Sequence, residues 1–140
     1  MLSPATRDSE LAEAMRVAEM DALTAAAAFG GSLRATPEFR ALLAASTSMA
    51  ADPVAQAAIG AFNERQEEYR VEAAMNLLSD EQDRELGRLG EAMYAVPSVL
   101  AYVTASDAFG NLCRETSAVI SGIVGIDFAA NSRSGGCCGG

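Results

Sequence analysis

The chain has 140 residues, half of them apolar, with ten basic against nineteen acidic side chains and a net charge of −9, enough for one domain with one core. All ten basic residues are scattered arginines, which argues against a grip on nucleic-acid phosphates through clustered cations. The absence of histidine and lysine excludes Ser-His-Asp and Cys-His sites, HExxH zinc, Glu-x-x-His di-iron bundles, Schiff bases and a P-loop lysine.

Alanine, leucine, glutamate, arginine and methionine dominate until the C-terminal third, where valine and isoleucine gather. These are good helix formers, so the expected class is all-α. A first helix is expected from about Thr6 to Leu33, frayed before Ala18 and loosened at Gly30-Gly31, with residues 1–17 as a helical extension. Asp8, Glu10 and Glu13 do not fit the cationic start of a signal peptide.

Thr36-Pro37 reads as an N-cap followed by proline at the first helical position. It opens a second helix carrying Phe39, Leu42, Leu43 and Met49. Asp52-Pro53 repeats the signal and opens a third helix, expected through Leu78. Ser79-Asp80-Glu81-Gln82 is a capping box and starts a fourth helix ending near Tyr94. Pro97 opens the fifth, expected to continue to about Phe128.

The third helix would span roughly 40 Å and the last somewhat more, against a radius of gyration near 14 Å for a compact globule of this size. The expectation is therefore an elongated bundle of about five helices whose apolar faces need a second subunit, most economically a dimer. Residues 36–46 also resemble residues 96–106, as though one helix–proline–helix corner were used twice.

Around the end of the fifth helix Val119, Ile120, Ile123, Val124, Ile126 and Phe128 cover most of the circumference. A helix apolar all round must be buried on several sides, either in its own subunit's core or at an interface between subunits. The interface is favoured, because this helix also delivers the cysteine-bearing tail, and Gly122 and Gly125 leave room for another backbone. The apolar run from Ala118 to Ile126 is shorter than the ~20 residues of a membrane span.

Residues 131–140 form a Gly/Cys tail in which Gly135-Gly136 and Gly139-Gly140 flank Cys137-Cys138. Glycine loses the most backbone entropy on ordering and has no side chain to bury. The segment reads as a tether ending in two soft thiolate ligands, or as a tail with incidental thiols. Three cysteines in all, two of them adjacent, make no disulfide framework and suit a reducing cytoplasm. Cys113 reads as a small core hydrophobe. An iron–sulfur cluster normally takes four thiolates, so Cys137 and Cys138 would need a homodimer or another partner to complete it. Zinc shared across subunits satisfies the same arithmetic.

Glu64, Glu67, Glu68, Glu81, Asp83 and Glu85 read as solvated helix faces and first-turn acids. No residue resembles an activated nucleophile, so a non-enzymatic protein is expected.

Taken in order, Thr36-Pro37-Glu38-Phe39, Asp52-Pro53-Val54-Ala55-Gln56, Phe62-Asn63-Glu64-Arg65-Gln66, Pro97-Ser98-Val99 with Tyr102, the last long helix and the Gly/Cys end resemble the YlbF/YmcA family of small helical bacterial regulators. The likeness begins near residue 18 and runs to the C-terminus, with the helical domain placed at 18–130. It implies an all-helical fold that dimerises or forms hetero-oligomers with related helical proteins, and a regulator of competence, sporulation or biofilm formation. Family members also join a third protein, bind iron–sulfur clusters through cysteines and assist RNase Y in maturing mRNAs. The resemblance thus implies a cytoplasmic adaptor of the RNase Y machinery, with a shared [4Fe-4S] cluster as the cofactor. The alternative is a metal, iron–sulfur or redox protein whose terminal thiolates are the working site.

Overall fold

The computed structural model describes residues 4–133, all of whose regular structure is helical. The elements are α1 (Pro4–Ala35), α2 (Pro37–Ala51), α3 (Pro53–Glu68), α4 (Arg70–Ala74), α5 (Asp80–Tyr94), α6 (Pro97–Val124) and α7 (Phe128–Arg133).

Local chemistry sets most of the boundaries. Thr36 Oγ1 accepts from the Phe39 N–H at 3.3 Å, with Pro37 at the start of α2. Asp52 Oδ1 accepts from the N–H groups of Val54 and Ala55 at 2.9 and 3.4 Å, with Pro53 at the start of α3. Each satisfies donors that a helix start leaves open. The capping box at Ser79 and Gln82 is complete in both directions. Val96 supplies no side-chain cap, and α6 starts on its proline alone.

Two helices end earlier than expected. The third stops at Glu68 rather than Leu78: Tyr69 leaves helical geometry at φ −94°, ψ 10°, and α4 follows as a separate turn. It then closes at Asn76, whose φ of 56° is left-handed. There the Leu77 N–H donates to Glu72 O at 2.8 Å and the Asn76 N–H to Ala73 O at 3.1 Å. This is a Schellman closure with asparagine in the glycine position. The last long helix stops at Val124 rather than Phe128, because Gly125 takes φ 75° and its N–H donates to Ser121 O at 2.9 Å. In the other direction, α1 runs unbroken through Gly30-Gly31 and from Pro4 onward, where fraying was expected.

Two antiparallel pairs build the body. In the first, the Phe39 and Phe109 rings meet edge to face at 5.5 Å at one end of α2, and Ser98 Oγ donates to Asp52 Oδ2 at 2.6 Å at the other. In the second, α3 lies against α5. Ile59 and Met93 share the core, Phe62 lies beside Gly90, and Tyr69 bonds to Glu85. The core where the pairs meet is small: Ala55, Val96 and Val99 are buried, with Met49, Ala58, Ile59, Met93 and Val103 packed around them. Among the described residues no helix is long and apolar enough to cross a membrane.

Candidate interaction surface

Since Phe39 in the first turn of α2 stands beside Phe109, α6 beyond Phe109 has run past the start of α2. At that same end α1 joins the body, through Thr36. The packing of α1 is essentially confined to α2, so its 32 residues, roughly 48 Å of helix, project from there. Beyond the start of α2, α6 is accompanied by α7.

Each projecting helix carries an apolar stripe. On α1, Leu11, Met15, Ala18, Ala22, Phe29 and Leu33 fall within a sector of about 60° at 100° per residue. The nearby Glu13, Arg16, Glu19 and Asp21 all lie outside that sector. Leu33 is half-buried where α1 meets α2, whereas Met15 and Leu11 are 65% and 61% exposed. On α6, Phe109, Leu112, Thr116, Ile120, Ile123 and Val124 share a sector of about 120° that excludes Arg114 and Glu115. Leu112, Thr116 and Ile120 are half-buried, and Ile123 is 79% exposed. Each stripe is therefore packed at its inner end and bare at its outer end.

The α6–α7 turn is built from two polar side chains and a glycine. Ser121 Oγ donates to Ser117 O at 2.8 Å and accepts from the Phe128 N–H at 3.0 Å. Asp127 Oδ1 caps α7 by accepting from the Ala130 N–H at 2.9 Å. Glycine left-handed after a helix, then aspartate at the next N-cap, is a legible stop signal, but the surrounding apolar run hid it.

Of the six residues expected at an interface, Val119, Ile123, Val124, Ile126 and Phe128 are exposed and Ile120 is half-buried. None belongs to the subunit core. Ile126 lies in the turn and Phe128 opens α7, so they do not continue the α6 face. The stripe on α1 was missed, although its 4-3-4 spacing from Leu11 to Ala22 was its signal. Cys137 and Cys138 lie outside the described residues. Cys113 is half-buried in a shallow cleft between α6 and α7, lined also by Arg114, Ser117, Ser121 and Asp127. The rest of the lining is Ala118, Gly122, Gly125, Ile126 and Ala129, so the cysteine faces a mixed surface and lies outside the buried core. Among the described residues no group of three or more cysteine, aspartate and glutamate side chains is placed to hold a metal ion.

The remaining polar chemistry ties helices together. Tyr69 Oη donates to Glu85 Oε2 at 2.7 Å, joining α3 to α5. That bond, reinforced by desolvation, raises the tyrosine pKa above its ordinary value. Arg65 Nε lies 3.0 Å from Glu85 Oε1 without hydrogen-bond alignment, so that contact is ionic. Its guanidinium also bonds Glu68 and lies 5.8 Å from the Tyr69 ring centre. The bond to Glu68 chiefly raises the arginine pKa. Glu67 pairs with Arg70 on the exposed face.

The sequence model described as "Control of competence regulator ComK, YlbF/YmcA" matches residues 22–124. No curated protein and no solved structure gives a significant match. The matched segment runs from the middle of α1 to the last residue of α6 and so contains both antiparallel pairs of the body. By that match and its all-helical architecture, the chain belongs to the YlbF/YmcA family of competence regulators.

Proposed function

We propose that this protein is a non-enzymatic cytoplasmic adaptor that works by assembling, with copies of itself or with related helical proteins. By family resemblance its assembly assists RNase Y in maturing mRNAs that control competence, sporulation or biofilm formation. The observation that carries the reading is the pair of charge-free apolar stripes left bare on α1 and distal α6. Contiguous apolar surface of this kind marks an interaction site. The net charge of −9 disfavours direct binding to RNA phosphates, so the adaptor acts on RNA through a protein partner.

The test is to replace Ile123 by Glu in the host and compare RNase Y-dependent transcript ends with those in a strain lacking the gene. Matching processing defects support the adaptor reading. Unchanged transcript ends in the gene-deletion strain would remove RNase Y from it, while leaving membership of the family intact.

A metal-binding role rests on the tail sequence. One chain holds three cysteines, with Cys113 in the α6–α7 cleft, so a single chain does not supply the four thiolates of a [4Fe-4S] cluster. Cys137 and Cys138 from two chains would supply four, which makes such a cluster a consequence of assembly. Iron analysis of anaerobically purified protein decides whether one is held.

A further inference from the structure

We propose that the tip of the α3–α5 pair, where α4 turns into α5, docks an amphipathic helix of a partner protein whose apolar face is flanked by lysine and arginine. This rests on the adaptor reading above and adds the surface and the chemistry of the partner.

Three observations carry it. First, the local backbone turns the apolar residues of this tip outward. Val71 and Met75, one helical turn apart on α4, are 60% and 63% exposed, and Leu77 is 63% exposed. The left-handed Asn76 and the bond from the Leu77 N–H to Glu72 O fold Leu77 back onto the turn that carries Val71. The next residue, Leu78, is half-buried and takes the inward place, so Leu77 is not a core side chain out of position. Because α4 packs chiefly on α3, the three side chains are left as one bare patch, the kind of surface that marks an interaction site.

Second, the patch is rimmed by negative charge. From Val71 to Asp83 the chain carries four carboxylates, Glu72, Asp80, Glu81 and Asp83, and no cation. Among the described residues none of the four has an ion-pair partner. The flanking arginines are engaged elsewhere: Arg70 pairs with Glu67, and Arg84 Nε donates to Asp80 O at 3.0 Å. An acidic rim steers a basic surface onto the patch and rejects an acidic one. The same tip of a second copy, an anionic membrane and RNA are thereby disfavoured as occupants.

Third, the spacing suits a helix. Val71 and Met75 form an i, i+4 ridge, which fits the groove of a facing helix, and the flexible Met75 adapts to its contours. The tip ends the α3–α5 pair, whereas the α1 and α6 stripes project from the far end of the α2–α6 pair. The two surfaces are separate, so the chain can assemble at one end and hold its partner at the other.

The test titrates the full-length protein into a fluorescein-labelled synthetic peptide, an amphipathic helix with leucine on one face and lysine on the other. A second peptide carries glutamate in place of lysine. The lysine peptide should bind, about 10-fold more weakly to Val71→Ser/Leu77→Ser and to Met75→Ser. Glu72→Gln/Asp83→Asn and added salt should also weaken it, and the glutamate peptide should not bind. Amide exchange in residues 70–83 should slow when the lysine peptide is added. Circular dichroism should show unchanged helicity in every variant, since the replaced side chains are not in the core.

No binding of the lysine peptide, equal affinity for wild type and all three variants, or equal binding of the glutamate peptide would overturn the docking site. In the host, Val71→Ser/Leu77→Ser should reproduce the transcript-end defect of the gene deletion while keeping the wild-type mass by light scattering. Wild-type transcript ends in that strain, beside a defect in the deletion strain, would overturn the tip as the partner surface and leave the adaptor reading standing. Unchanged ends in both strains would strike RNase Y from the adaptor reading, and the peptide titration would then decide the tip by itself.

Discussion

Asp52 and Ser98 tie the two proline corners of the chain to each other. One oxygen of the Asp52 carboxylate caps α3 through Val54 and Ala55, and the other accepts from Ser98 Oγ at 2.6 Å, one residue into α6. A single side chain thereby ends the α2–α3 corner and fixes where α6 begins against it. The Ser98 bond, with the two backbone bonds and against desolvation, holds the Asp52 pKa below its ordinary 3.8.

A depressed carboxylate stabilises the fold above its unfolded pKa and loses that contribution as pH falls through the lower folded value. Ser98→Ala should therefore lower stability at pH 7, with the loss shrinking once acid has protonated Asp52. Urea melts of both proteins at pH 7 and in progressively stronger acid measure this. An equal loss at every pH would mean that the serine acts through packing rather than through the carboxylate.

The burial pattern makes two valines unequal. Val99 is 3% exposed and sits in the core, whereas Val54 is 63% exposed on the first turn of α3. Val99→Ala should cost about 2 kcal/mol, and Val54→Ala should stay within about 0.5 kcal/mol of wild type. Denaturant melts of similar cost for the two would place the core elsewhere.

At Gly125 the left-handed backbone decides the outcome. No neighbouring atom would obstruct an added Cβ, but φ is 75°, so Gly125→Ala should cost about 1–2 kcal/mol through strain alone. The loss should be local, appearing as faster amide exchange in α7 while Val99 and its surroundings keep their protection. Slower exchange in α7, with α6 extended through the turn, would contradict the assigned stop.

Replacing Cys137 and Cys138 by serine should leave helicity and melting unchanged, since serine is close to cysteine in size and the flanking glycines have no side chains to bury. The same change should remove any iron or zinc carried by the anaerobically purified protein, because thiolates are the ligands. Metal content equal to that of wild type would exclude the tail as its site.

Much of the body was legible because its boundaries are set by local chemistry. Thr36, Asp52 and Ser79 with their following prolines or glutamine announce caps that the folded chain uses, and the family follows from their order. The early stop at Tyr69 was not legible. Its side chain reaches Glu85, sixteen residues away, and no glycine or proline marks the break. Asn76 was a weaker signal, since asparagine adopts the left-handed conformation less readily than glycine. Gly125 and Asp127 carried the right signal, but the apolar run around them argued for a continuing helix. The α1 stripe was hidden by alanine, which reads as helix former before it reads as a face. The exposed ends of α1 and α6 were legible only as apolar residues lacking a place, since sequence does not say which of them the body leaves uncovered.

The mass of the full-length protein in solution tests the central claim most directly. Light scattering at micromolar concentration should give twice the 14.5 kDa chain mass for wild type. Ile123→Glu and Met15→Glu should each give the single-chain mass with helicity retained, the burial of an unpaired carboxylate weakening the dimer about 100-fold. Wild type at the single-chain mass, or both variants fully dimeric, would contradict assembly through these two stripes.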